Sequence, residues 1–143
     1  MANSASTSMR LVGEDLFNWP VPLGSRSNFL GARCHQCGEV VFPFLQDCPN
    51  CFEASSMDAF AITGRGLLVD FVVVERGPAG YAVPYVQAYI KLVDGPKIYS
   101  MLTGVEPTET GPKIGQSMEM IVDVIRNEGG VDIVGWKFRP EQI

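Results

Sequence analysis

The chain of 143 residues has one histidine, His35, and no apolar run of the length, about 18 residues, that a membrane-spanning helix needs. No membrane partner is expected. Basic residues are also scarce: 11 Lys and Arg against 16 Asp and Glu give a formal net charge of -5. That is the wrong sign for a protein that neutralises phosphates along a nucleic acid, so a nucleic-acid partner is disfavoured. Met1 to Met9 are small and polar, without the basic start and apolar stretch of a secretory leader, which points to a cytoplasmic protein. There is no glycine-rich phosphate loop and no internal repeat. What is present is 46% hydrophobic and 10% aromatic sequence, enough for one substantial core or two small ones and too apolar for a disordered chain.

Cysteine is scarce too, but its four copies are patterned: Cys34-His35-Gln36-Cys37-Gly38, ten residues from Gly38 to Asp47, then Cys48-Pro49-Asn50-Cys51. Two Cys-x-x-Cys turns flanking a strand-like stretch (Val40, Val41, Phe42, Phe44) present four sulfurs to a tetrahedral ion. Structural Zn2+ is the leading reading; iron and two disulfides remain alternatives, the latter disfavoured by short loops and a reducing compartment. With Cys34, Cys37, Cys48 and Cys51 all used as ligands, the site is closed to water and substrate.

The chain divides into an arm (1–28), a zinc ribbon (29–57) and a barrel domain (58–143). Pro20, Pro22 and Gly24 break the arm, and Leu16, Phe17, Trp19 and Val21 make it apolar; it lies across its own domain or against a partner protein. In the last segment strand patterning predicts five strands: Leu67 to Glu75, Tyr85 to Val93, Lys97 to Thr103, Ser117 to Arg126 and Val131 to Arg139. Val86, Ala88, Ile90 and Leu92 form one face, as do Met118, Met120, Val122 and Val124, and Val134, Trp136 and Phe138. The expected fold is mainly β, a rubredoxin-like zinc ribbon followed by a five-stranded OB-fold barrel, with an open sandwich as the rival.

No catalytic constellation emerges. His35 lies inside the first knuckle and no thiol is left free, while Glu75, Glu119 and Asp123 read as outward strand residues. The segment Arg76 to Tyr85, joining the first two strands, is the exception to an otherwise plain barrel. Gly80, Tyr81, Pro84 and Tyr85 offer flat apolar surface at a barrel mouth, suited to a ligand or partner, though an ordinary long hairpin reads the same way.

Taken together, the Cys34-x-x-Cys37-Gly38 and Cys48-Pro49-x-Cys51 knuckles, Val41-Phe42-Pro43, the Gly80-Tyr81 and Pro84-Tyr85 pairs and Trp136-Lys137-Phe138-Arg139-Pro140 form a recognisable set. Over residues 29–140 the chain resembles the small zinc-ribbon and OB-fold proteins, long called a domain of unknown function, that accompany acyl-CoA enzymes. They include the small subunits of benzoylsuccinyl-CoA thiolase, of archaeal acetoacetyl-CoA thiolase assemblies, and of steroid side-chain hydratases and aldolases. The resemblance implies a non-catalytic accessory subunit in a hetero-oligomer with a thiolase-fold or hydratase catalytic subunit. In such an assembly a CoA thioester is the ligand of the complex, and the loop Gly80 to Tyr85 faces the acyl-CoA cavity. Arg76, Lys97, Lys137 and Arg139 are candidate contacts for CoA phosphates, otherwise solvated surface charges. The sequence departs from the pattern at its proline-broken amino end and at Phe44, where a second proline is common. Two other classes stay open: a nucleic-acid-binding zinc-ribbon/OB module, which needs a basic, aromatic strand face, and a self-sufficient enzyme.

Overall fold

A computed structural model describes residues 8–142. Its strands are β1 (Ser8–Leu11), β2 (Ser25–Arg26), β3 (Phe29–Cys34), β4 (Val40–Val41), β5 (Met57–Ile62), β6 (Arg65–Val74), β7 (Tyr85–Leu92), β8 (Lys97–Leu102), β9 (Ser117–Glu128) and β10 (Val131–Pro140). No helix occurs among the described residues.

Strands β6, β7, β8, β10 and β9 close on one another in that order, and β9 pairs again with β6. The β8–β10 contact is parallel and the other four are antiparallel, which is the ring of an OB-fold barrel rather than an open sandwich. Period-two alternation fills it. Val86, Ala88, Ile90 and Leu92 of β7 are all buried, as are Met118, Met120 and Val122 of β9 and Val134 and Phe138 of β10. Closure needs sharp bending, and register shifts at Leu68/Asp70 in β6 and Ile133/Val134 in β10 supply it. At Gly66 a Cβ would sit on the Lys91 carbonyl, so the tight β6–β7 approach requires glycine.

The second sheet has the order β4-β3-β5 and carries the cysteine knuckles. It is joined to the barrel through its own first strand. Phe29, wholly buried, stacks on Phe138 of β10 at 6.1 Å and meets Trp136 edge-on at 5.5 Å and Phe42 at 4.9 Å. Burying such a ring stabilises the fold by roughly 1.5–3 kcal/mol. The proline-broken segment ahead of it lies on the same body: β1 runs parallel to β10, β2 pairs with β9, and Phe17 is 3% exposed and bridged to Phe29.

Candidate metal centre and aromatic loop

The two knuckles repeat one backbone plan. In the first, the amides of Gln36 and Cys37 donate to Cys34 Sγ at 3.3 and 3.4 Å; in the second, those of Asn50 and Cys51 donate to Cys48 Sγ at 3.3 and 3.4 Å. Each turn closes with a residue of positive φ whose amide reaches the first cysteine's carbonyl at 2.9 Å: Gly38 (φ 84°) on Cys34 and Phe52 (φ 63°) on Cys48. The second knuckle thus places a phenylalanine where the first has the glycine that this backbone favours.

Folding brings the four sulfurs within 4.8 Å of one another, with Cys34–Cys51 at 3.7 Å and Cys37–Cys48 at 3.6 Å. Thiolates about 2.3 Å from a tetrahedral zinc ion lie about 3.8 Å apart, so the donor set and its spacing fit that ion. The electrostatics agree. Burial pushes the Cys34 thiol up, but the Ser56 hydroxyl and the Cys37 and Gln36 amides outweigh it and bring it down to about 6. The Asn50 amide, followed by backbone donation at Glu39, lowers Cys37. At Cys51 the backbone at Glu53 pulls down, yet burial and the three neighbouring sulfurs drive the thiol up to about 12. One thiolate therefore opposes the next until a cation lies between them. Around the sulfurs, Ser56 Oγ lies 3.2 Å from Cys34 Sγ and 2.9 Å from the Glu53 carbonyl oxygen, and Asn50 Nδ2 donates to Cys37 at 3.4 Å. His35 lies outside the sulfur cluster, its Nδ1 3.1 Å from Asp58 Oδ2 at the surface.

The second candidate region is the loop between β6 and β7. Gly80 and Tyr81 lie within it, Pro84 ends it and Tyr85 opens β7. Gly80 has φ 94°, accepts the Asn127 amide at 3.0 Å, and leaves no room for a Cβ against the Asn127 carbonyl. The loop is thereby fastened to the far end of β9. Tyr81 stacks on Tyr85 at 5.5 Å, and Arg126 sits 5.9 Å from the Tyr81 ring with Nη1 3.5 Å from its hydroxyl. Burial, then the nearby Tyr81 and Tyr99, raise the Tyr85 phenol. Glu128, hydrogen-bonded at 2.7 Å, anchors Arg126 in turn.

Two charged residues differ from their sequence reading. Glu119 is 1% exposed, not an outward strand residue, and its carboxylate meets Arg139 at 2.8 Å and Arg26 at 3.9 Å. Strand β2, paired with β9 at Ile121 and Val122, brings Arg26 to this carboxylate, and β10 brings Arg139. Arg139 is accordingly committed to Glu119 rather than being a free surface charge. No local signal reveals this pair, because its partners stand 20 and 93 positions away.

A four-cysteine zinc ribbon joined to an OB-fold barrel is the class of protein that this ring order and sulfur cluster define. A family model described as the C-terminal OB-fold domain of ChsH2 matches residues 60–123. The chain belongs to the DUF35 family: a DUF35 domain-containing scaffold protein of Pyrococcus furiosus is 35% identical over 115 residues, 78% of this chain and 82% of that one. The benzoylsuccinyl-CoA thiolase subunit BbsA of Thauera aromatica is 32% identical over 120 residues, 82% of this chain and 81% of its own. Among solved structures, the Ltp2-ChsH2(DUF35) aldolase superposes with a TM-score of 0.61 at 24% identity, over 79% of this chain and 84% of that one. That likeness confirms the fold. Among the described residues, no helix is long and apolar enough to cross a membrane.

Proposed function

We propose that this protein is a non-catalytic accessory subunit of an acyl-CoA-processing complex, docked on a thiolase-fold catalytic subunit whose acyl-CoA site it helps to form. The observation that carries the reading is the similarity to a thiolase subunit along most of both chains. In this reading Cys34, Cys37, Cys48 and Cys51 hold a structural zinc ion. Its binding free energy, about 10–16 kcal/mol in small zinc modules, folds the ribbon. The loop bearing Gly80, Tyr81, Pro84 and Tyr85 faces the partner, its position supported by the clamp on Asn127 and the Tyr81–Tyr85 stack.

A second reading is an aldolase or hydratase assembly, of which the name of the structural neighbour favours the aldolase. The two separate on chemistry: thiolysis consumes free CoA, whereas hydration and aldol cleavage leave the thioester untouched.

The test is capture of the tagged protein from its native extract, passage through a sizing column and mass spectrometry of what remains bound. A thiolase-fold subunit in fixed proportion, with CoA-dependent cleavage by the complex, is the expected result; a clean monomer, or one carrying nucleic acid, overturns the reading. Within the complex, Tyr81→Ala and Tyr85→Ala are expected to weaken acyl-CoA affinity or turnover. Unchanged values for both would remove the loop from the site.

A further inference from the structure

The outer face of β7 and β8 has an order of which the accessory-subunit reading uses only the overhanging Tyr81. Register pairs Gln87 with Met101, Tyr89 with Tyr99 and Lys91 with Lys97, three successive outward rows. Rows two residues apart along a strand are separated by about 7 Å, so the first and third lie about 13 Å apart. Each row has a different chemistry.

At the first row the sheet is overhung. Tyr81 from the loop, Val12, Ile125 and Trp136 enclose, together with Gln87 and Met101, a cavity of about 110 Å³ open to solvent. An enclosed apolar cavity of about 150 Å³ holds a benzene ring, so this smaller one, open on one side, takes the edge of a single ring or a short branched chain end. Tyr99, in the middle row, also lines the cavity, and its ring lies 4.9 Å from that of Tyr89. Both tyrosines are about half exposed, at 54% and 44%. The third row sets two lysines directly opposite each other, an arrangement that costs stability on a sheet. Lys97 Nζ leans over the Tyr89 ring at 5.5 Å, and Lys91 Nζ donates to the Gly95 carbonyl. Neither reaches a carboxylate among the described residues, in a protein whose net charge is -5. Two nearby acids are otherwise engaged. Asp70, beside Tyr89 on the side away from Tyr99, accepts the Phe71 amide at 2.9 Å, and Asp94 accepts the Thr63 amide at 2.8 Å.

We propose that this face is a binding track for an elongated amphipathic anion. Its apolar end enters the cavity under Tyr81, its middle lies on Tyr99 and Tyr89, and its carboxylate or phosphate meets Lys91 and Lys97. The track is complete within this chain, so it stands or falls separately from the identity of any catalytic partner.

The probes are benzene, octanoate, 8-phenyloctanoate and 8-phenyloctyl phosphate, titrated against the full-length zinc-loaded protein and followed by NMR and calorimetry. The phenyl-capped anion is expected to bind about tenfold or more tightly than octanoate. Lys91→Gln with Lys97→Gln, both exposed and remote from the core, should cost it about tenfold while leaving benzene unchanged. Tyr81→Ala should remove the gain from the phenyl ring and spare the lysine dependence. Comparison of carboxylate with phosphate identifies the anion. If neither capped anion outbinds octanoate, or if the double glutamine variant binds as the parent does, the track does not exist.

Discussion

Gly80 and Asn127 touch backbone to backbone, the glycine's carbonyl accepting the asparagine amide at 3.0 Å with no space between them for a methyl group. This contact turns a ten-residue glycine- and proline-containing connection into a fixed wall over the β7–β8 face. Gly80→Ala meets both a positive φ of 94° and the Asn127 carbonyl. It is expected to destabilise the protein by about 1–3 kcal/mol in a denaturant melt and to displace the Tyr81 ring resonances.

Metal removal should unfold the ribbon first. Chelation, or Cys34→Ser, is expected to abolish stoichiometric zinc in elemental analysis and to erase the β3–β5 amide protection in hydrogen exchange. Since the zinc-free ribbon is unfolded and an unperturbed thiol titrates at about 8.5, zinc uptake by four thiolates near neutral pH must expel protons. Calorimetry in two buffers of different ionisation enthalpy reads those protons directly; no buffer dependence would contradict four-thiolate ligation.

Phe52 stands 82% exposed in left-handed backbone, at the position Gly38 occupies in the other knuckle. Phe52→Gly should therefore stabilise the zinc-loaded protein by about 1 kcal/mol, visible as a raised Tm. A fall in Tm would mean that the ring packs on something that its exposure does not reveal.

The buried Glu119 has Arg139 as its closest cation. Arg139→Ala leaves that carboxylate enclosed with only the longer contact to Arg26, and a loss of about 3–5 kcal/mol is expected. Arg139→Ala combined with Glu119→Gln should recover part of that loss, because no unpaired charge then remains inside. Chemical denaturation of the two variants makes the comparison.

Glu128 titrates below the usual carboxylate range because Arg126, and then Arg10, hydrogen-bond its ionised form. A carboxyl depressed in the folded state adds stability that is full above its unfolded pKa and fades as pH falls through the folded one. Glu128→Gln should accordingly flatten the acid limb of the stability profile and, because Glu128 anchors Arg126 beside Tyr81, loosen the loop already at neutral pH. Since Arg126 also contacts Tyr81, acidification should loosen the loop in the same pH range in the parent protein alone.

The five barrel strands were legible to within about two residues, because Val86 to Leu92 alternate cleanly, Ser117 to Arg126 are rich in apolar and β-branched residues, and Asp94-Gly95 and Gly129-Gly130 mark the turns. The knuckles were equally plain, since ligand spacing is a local property. Strand β5 was not: Ala59 and Ala61 are too small to declare a face, and its partner β3 lies on the other side of both knuckles. Strands β1 and β2 are four and two residues long and take their form from the edges they join, β10 and β9, rather than from any period of their own. The tyrosine and lysine rows were present as residues, but only register aligns them.

Phe29 belongs by hydrogen bonding to the metal-binding sheet and by packing to the middle of the barrel. Ile62, directly opposite Phe29 in the β3–β5 pairing, is likewise wholly enclosed there. The two halves are therefore not interchangeable cassettes. A relative that exchanged its ribbon for another would carry off the filling of its own barrel, so these halves are constrained to be inherited, and to diverge, as one piece.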